Sequence, residues 1–248
     1  MKFQKNCCIA GTLFLLILLF PSQGTAQMKN PISTFFSNLL DETQAEVAVG
    51  EILEDTFRKE SALHGNENSI ATDAEIIQGL SDILALLPAK PQYNFRVMIL
   101  KNPIPGEIPF PGGLIVLTSG LLELASSKEE KNFILARNVM HISLRHPLTA
   151  MKRESLYARA LKILKKPIAK RDQNDALTLL QDYIKAISIM DQQRADREAI
   201  QLFQNNPQIV EAAIKLLEKC TKAFWAALPW DWHDFSGRIE SLKAILNK

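Results

Sequence analysis

The chain is poor in residues that cross-link a fold or ligate a metal: its 248 residues include three cysteines and four histidines. Two of the cysteines, Cys7 and Cys8, lie in a leader-like start. Lys2 and Lys5 form a basic region, Ile9 to Phe20 an apolar core, and Gly24-Thr25-Ala26 a small-residue cleavage site, the pattern of a secretory signal peptide. That apolar run is shorter than the roughly 20 residues a spanning helix needs. Cleavage after Ala26 leaves Cys220 alone, which excludes an internal disulfide and leaves stability to core packing. Nor is there an excess of charge: without the leader, 27 basic side chains face 27 acidic ones, which argues for neither nucleic acid nor an acidic substrate; no nucleic-acid partner is expected. There is no internal repeat and no low-complexity tract.

What is present is mostly helical periodicity. Ile32 to Leu53 carries Phe35, Phe36, Leu39, Leu40, Val47, Val49, Ile52 and Leu53 at helix spacing, and Thr72 to Leu86 repeats Ile76, Ile77, Leu80, Ile83 and Leu84. Thr72 followed by Glu75 fits a capping box, which starts the second helix there. Pro88 and Pro91 close this section. From Tyr93 the period changes: Phe95 to Leu100 and Leu114 to Thr118 read as strands, separated by a Pro-rich turn region from Asn102 to Pro111. Helices are then expected at Leu121 to Ala125, Glu129 to Arg145 with Pro147 as the stop, Glu154 to Lys166, Asp175 to Gln204, Gln208 to Trp225 and Phe235 to Leu246. The fold class is therefore mainly helical α+β, a small sheet wedged between helices.

Charge is locally uneven. Arg137 to Arg171 holds ten Lys or Arg and one acid, Glu154, whereas Asp41 to Asp82 is acidic. Two readings follow: a basic face, Lys152 to Arg171, that meets anionic lipid or polymer, or two oppositely charged helical layers that face each other or solvent. Trp225, Trp230 and Trp232 cluster around Pro229, either to anchor a partner or to close the core near the C-terminus.

Four blocks stand out in order along the chain. They are Pro111-Gly112-Gly113 with Thr118-Ser119-Gly120-Leu121-Leu122; Ile134-Leu135-Ala136 running through Arg137, Asn138 and His141 to Arg145-His146; Gln192-Gln193-Arg194-Ala195-Asp196; and His233-Asp234-Phe235-Ser236-Gly237-Arg238-Ile239. Together they resemble the gluzincin family of zinc metallopeptidases that includes the heat-shock protease HtpX, the CAAX prenyl proteases and periplasmic peptidases of outer-membrane assembly. The resemblance runs from Tyr93 to Leu246. It implies a metallopeptidase-like domain over 93–248, with its sheet packed on the active-site helix, behind a signal peptide at 1–26 and an N-terminal helical segment at 27–92.

The same resemblance implies where a zinc site belongs and what has been lost from it. The family's H-E-x-x-H places two imidazoles on one helical face with a Glu as general base. Here Arg137 stands at the first ligand, Asn138 at the base, His141 at the second ligand and Gln192 at the third, while Asp196 is the retained supporting carboxylate. One imidazole does not make a three-ligand site, and Asn138 accepts no proton from water. Two readings of Arg137 follow: a guanidinium where zinc would sit, bonded to Asp196 or to the amide oxygens of Asn138 and Gln192, or an ordinary surface arginine. His146, about 140° around a helix from His141, is not expected to share an ion with it. The family's Asn-Ala-Phe-Ala segment is altered to Gly106-Glu107-Ile108-Pro109, and the strand at Gly112, Gly113, Leu114 and Ile115 is expected to offer an edge to an extended peptide.

The implied function is an exported, catalytically inactive homologue of a zinc metalloendopeptidase. It would bind peptides or envelope proteins as a regulator or assembly factor, periplasmic in a Gram-negative cell, with no cofactor. The alternative is an active periplasmic zinc metalloendopeptidase using non-standard ligands.

Overall fold

The computed structural model describes residues 42–63, 68–70, 73–89, 92–167, 170–187, 192–227 and 235–247, all within one compact unit, Leu40–Lys248. The leader, Ile32 to Asp41, His64, Thr72, Trp230, Trp232 and His233 lie outside the described residues, as does the side chain of Trp225. The elements in chain order are α1 (Glu42–Leu63), β1 (Asn68–Ile70), α2 (Ala74–Leu86), β2 (Arg96–Leu100), β3 (Glu107–Pro109), β4 (Leu114–Thr118), α3 (Ser119–Leu124), α4 (Lys128–Ser143), α5 (His146–Arg153), α6 (Leu156–Leu164), α7 (Gln173–Ile187), α8 (Gln192–Leu202), α9 (Pro207–Ala227) and α10 (Phe235–Leu246).

The strands form one sheet in the order β1-β2-β4-β3. β2 and β4 run parallel, with Arg96 opposite Leu114 and Leu100 opposite Thr118, while β1 and β3 add antiparallel on the two sides. All five residues of β4 are buried, the mark of a strand covered on both faces. Its alternation divides the core. Ile115 and Leu117 join Val97 with residues of α2, α4, α8, α9 and α10, and Leu114 and Val116 join Met98 with residues of α1, α5, α6 and α7.

Two chain crossings need glycine. A β-carbon on Gly50 of α1 would lie 1.9 Å from the Pro111 carbonyl oxygen, so α1 rests directly on the turn between β3 and β4. Gly112 and Gly113 in that turn have φ of 83° and 108°, conformations L side chains rarely adopt.

Several expected boundaries move for identifiable reasons. Asp73 caps α2, within one residue of the expected start at Thr72, which lies outside the described residues: its carboxylate accepts from the Glu75 and Ile76 amides. β3 occupies the segment expected to be turn, with Pro109 tolerated because the strand is at the sheet edge. Of the stretch Asp175 to Gln204, expected as one helix, the structure describes α7 as far as Ile187 and α8 from Gln192 to Leu202, and residues 188–191 lie outside the described residues.

The largest revision concerns Pro147. It does not stop α4; it sits in the first turn of α5, where a missing N–H costs nothing. α4 ends because Arg145 turns left-handed at φ 56°, held there by Glu46, whose carboxylate accepts from its Nε at 3.0 Å, and by Glu42 at 2.8 Å from Nη1. Glu42 also pairs with Lys152 of α5. On the other side of the basic run, Arg159 meets Asp182 at 2.7 Å and Lys166 meets Asp175 at 2.9 Å. Much of the basic stretch thus faces carboxylates of α1 and α7.

Candidate functional site

α4 is the scaffold of the site. Ser127 accepts from the Glu130 amide while the Glu130 carboxylate accepts from the Ser127 amide, a capping box that fixes the start of the helix. From Phe133 to Ile142 the helix is buried without interruption, so Arg137, Asn138 and His141 stand in the interior with no solvent to satisfy them.

Each finds its partner inside. The Arg137 guanidinium pairs with the Glu107 carboxylate of β3, and its Nη1 lies 3.8 Å from Asp196 of α8. Asn138 Nδ2 donates to the second Glu107 oxygen at 2.5 Å and to the Ile134 carbonyl at 2.9 Å. Asp196 is gripped by Arg238 of α10, whose Nε and Nη2 donate to its two oxygens at 2.7 and 2.9 Å, a bidentate fork with both side chains almost fully buried. Two guanidiniums and two carboxylates therefore cancel within the site. Burial and the like charge of Arg238 push Arg137 down to about 9, with Asp196 pulling the other way, and it remains a cation at neutral pH.

His141 is bonded at both nitrogens. Nε2 lies 3.1 Å from Gln192 Oε1, and Nδ1 lies 3.0 Å from Nδ1 of His146. Gln192 Oε1 only accepts, so His141 Nε2 carries the proton, its Nδ1 accepts, and His146 Nδ1 donates. Burial first, then the Arg137 and His146 charges, hold His141 well below the ordinary imidazole range, which keeps it neutral.

The expectation that His146 lies too far around the helix is corrected. The helix ends at Ser143, and the left-handed Arg145 swings His146 back until the two rings meet edge to face at 5.1 Å between centroids. The proposed partners of Arg137 are corrected in part. Asp196 is near, but the closest carboxylate is that of Glu107, and the oxygens of Asn138 and Gln192 are not its partners.

The residues expected to hold an extended peptide do not form an edge. Gly112 and Gly113 are packed in the turn against Val47 and Asn94, and Leu114 and Ile115 belong to β4, which has β2 on one side and β3 on the other. β3 is the edge, and it is blunted. Thr118 N–H donates to the Gly106 carbonyl and Phe110 N–H to the Leu114 carbonyl, so alternation turns Ile108 inward and Glu107 and Pro109 outward. Pro109 has no N–H, and its carbonyl accepts from the Tyr183 hydroxyl. Only Glu107 presents a complete outward pair.

Beside these side chains is a cavity of about 240 Å³, walled by Val116, Leu121, Phe133, Ile134, Leu216 and Leu217, with Arg137, Asn138, His141, Gln192 and Arg238 on its polar side. Cys220 also borders it, its thiol pushed up by burial.

The donor set does not suit a zinc ion. The first ligand position carries a fixed cation, both nitrogens of the one retained imidazole are engaged, and the third position offers an amide oxygen already accepting from that imidazole. Among the described residues no three His, Cys, Asp or Glu side chains come together as a ligand group.

Three participants were not singled out from sequence. Glu107 has a signal in hindsight: an acid enters the altered segment of the cleft strand in the same chain that puts a cation at the first ligand position. Arg238 lay inside the fourth block. His146 was set aside by assuming an unbroken helix.

A family model for peptidase family M48 matches residues 76–245, from the first buried turn of α2 to the last turn of α10. A search of the curated proteins finds no match.

Proposed function

The chain belongs to peptidase family M48, and on that premise we propose that it is an exported, metal-free and catalytically inactive homologue of the family's zinc metalloendopeptidases. In this reading it binds peptides or envelope proteins as a regulator or assembly factor. The observation that carries it is the Arg137–Glu107 pair, which sets a protein cation and its counter-ion at the position the family gives to a metal ligand. The family is generally zinc-dependent, so this exchange removes the Lewis acid, while Asn138 in place of a carboxylate removes the base. The cavity beside the pair would give such a partner a place to bind.

The reading is tested on the chain lacking residues 1–26. Zinc measured per chain after dialysis against micromolar zinc should be far below one, and casein should be left intact with or without EDTA. One tightly held zinc per chain together with EDTA-sensitive proteolysis would overturn the proposal in favour of an active enzyme with non-standard ligands.

A further inference from the structure

The fold sorts the basic run into two sets. One set is spent on partners: Arg145 and Lys152 on Glu42, Arg159 on Asp182, and Lys166 on Asp175. The other is left over. From Leu156 to Arg171 the chain has six basic residues and no acid, and three of them, Lys162, Lys165 and Lys170, are exposed with no partner among the described residues. α6 buries Leu156, Ala160 and Ile163 at helix spacing, and two residues on from each, about 200° around the helix, Ala158, Lys162 and Lys165 form its outward face. Lys170 is fixed at the same end of α6. Its amide donates to the Pro167 carbonyl at 2.8 Å, and the neighbouring Arg171 donates from Nη2 to the Leu164 carbonyl and from Nε to the Lys166 carbonyl, at 3.4 and 3.3 Å.

The needs of the helix do not account for this surplus. A helix C-terminus favours a cation, and Arg171 already fills that place on α6. Asp172, the next acid along the chain, is engaged at the start of α7, where its carboxylate accepts from the Asn174 amide at 2.8 Å. Lys162 and Lys165, three residues apart on one helical face, repel each other, and an anionic surface opposite them would relieve that repulsion.

The kind of cation indicates the kind of partner. A guanidinium fork grips one phosphate in a fixed geometry, but Arg159 and Arg171 are committed within the fold. What remains outside is ammonium, a point charge without a fixed orientation, suited to a plane of many phosphates. None of the three lysines borders the cavity. The one aromatic residue between Lys152 and Arg171, Tyr157, has the Lys152 ammonium 5.6 Å over its ring, so no free ring is offered for a nucleic-acid base to stack on.

We infer that the outward face of α6 and the turn after it, through Lys162, Lys165 and Lys170, form a docking surface for an anionic phospholipid bilayer. The contact is electrostatic, without apolar insertion, because among the described residues this face exposes no large apolar side chain. It does not depend on whether the site on α4 holds a metal.

The test sediments the chain lacking residues 1–26 with vesicles of phosphatidylcholine, pure or with a third of phosphatidylglycerol. Each cation near an anionic leaflet strengthens binding about fivefold. At about 50 mM salt the anionic vesicles should therefore bind at least tenfold more tightly than the neutral ones, and about 0.5 M salt should abolish the difference. No binding, equal binding to both vesicles, or binding that survives high salt overturns the inference. So does binding to soluble inorganic polyphosphate without binding to vesicles, which would assign an anionic polymer instead.

Lys162→Gln, Lys165→Gln and Lys170→Gln together should weaken vesicle binding at least tenfold, and a smaller loss overturns the inference. The control combines Lys128→Gln, Lys215→Gln and Lys222→Gln, exposed positions on α4 and α9 that change the net charge equally. A control loss within threefold of the first would make the binding a matter of overall charge and sink the assignment. Arginine at the same three α6 positions keeps the charge and should bind within threefold of wild type; a larger loss would mean that one phosphate is recognised by geometry, against a planar partner. All these positions are exposed, and circular dichroism melts check the fold. If the triple glutamine variant fails to fold, the three single Lys→Gln variants, each expected to bind about fivefold more weakly, still decide.

Discussion

The middle of α4 and its two ends use the same ingredients for different purposes. At the ends, carboxylates meet cations to terminate a helix: Glu130 closes the capping box and takes Lys219, while Glu46 and Glu42 hold Arg145 in the left-handed turn. In the middle, Arg137 meets Glu107, and Asp196 meets Arg238, at a place where no helix needs ending. At the ends the cations keep contact with water, Lys219 and Arg145 each being about a quarter to a third exposed, even where the carboxylate they meet is buried. In the middle both guanidiniums are themselves buried, so each depends on its carboxylate partner, and the four charges behave as one polar network beside the cavity.

The sharpest way to break this contrast is Asp196→Ala. It strips both acceptors from the buried Arg238 and the nearby carboxylate from Arg137. Removing one partner of a buried pair costs about 3 to 5 kcal/mol, so urea unfolding should show a loss of that order, or no folded protein at all. A loss below about 1 kcal/mol would mean that water reaches these guanidiniums and that the middle of α4 is no different from its ends.

Glu107→Ala comes next, expected to cost about 2 to 3 kcal/mol because it leaves Arg137 facing Asp196 alone at 3.8 Å and strips Asn138 Nδ2 of one acceptor. Adding Arg137→Met should restore most of that loss, since the double variant removes both charges. A double-mutant cycle reads the coupling directly. Additive effects would separate the two substitutions and remove the ground for treating them as one exchange.

The two regions also differ in how much of them could be read from the residues. The apolar period gives α2, α4 and α10 to within about two residues, while the Ser127–Glu130 capping box that fixes the start of α4 was not read from the sequence. β4 was legible because four apolar residues and Thr118 form a β-rich run bounded by Gly113 and Gly120. β3 was not, because proline and a three-residue length hide an edge strand inside what reads as turn. In the middle of α4 the positions were legible through the four blocks, yet the partner of Arg137 was not, since Glu107 lies thirty residues upstream on another element and no local period links them. The break after Ser143 was misread because Pro147 was the only visible stop, whereas the cause is a carboxylate on α1, about a hundred residues away.

Acid sharpens the comparison at the first end of α4. Burial alone would raise the Glu130 carboxyl, but the Lys219 ammonium and the amides of Ser126 and Ser127 outweigh it and hold the group below its ordinary 4.5. A carboxyl depressed in the folded state adds stability above the unfolded value and loses it as pH falls through the folded one. Between pH 4.5 and that lower value the unfolded chain takes up the proton first. Wild-type stability should therefore decline below pH 4.5 by up to about 1.4 kcal/mol per pH unit from this group. Glu130→Gln should flatten that part of the profile in urea titrations at pH 5 and below, and an unchanged slope would detach Glu130 from acid sensitivity.

The smallest effect is expected at the other end. Glu42 is about half exposed and pairs with Arg145 and Lys152, which are also partly exposed. Water screens such pairs, so Glu42→Ala should cost no more than about 1 kcal/mol, and less in 1 M salt. The turn at Arg145 should survive, because Glu46, with no exposed surface, still holds the guanidinium and also accepts from the Tyr93 hydroxyl at 2.8 Å. His146 would then stay against His141, which a ¹⁵N spectrum of the imidazoles reads as a bare Nδ1 and a protonated Nε2 on His141. If Glu42→Ala cost several kcal/mol or moved that signature, the ends of α4 would be as tightly coupled as its middle, and the contrast drawn between them would collapse.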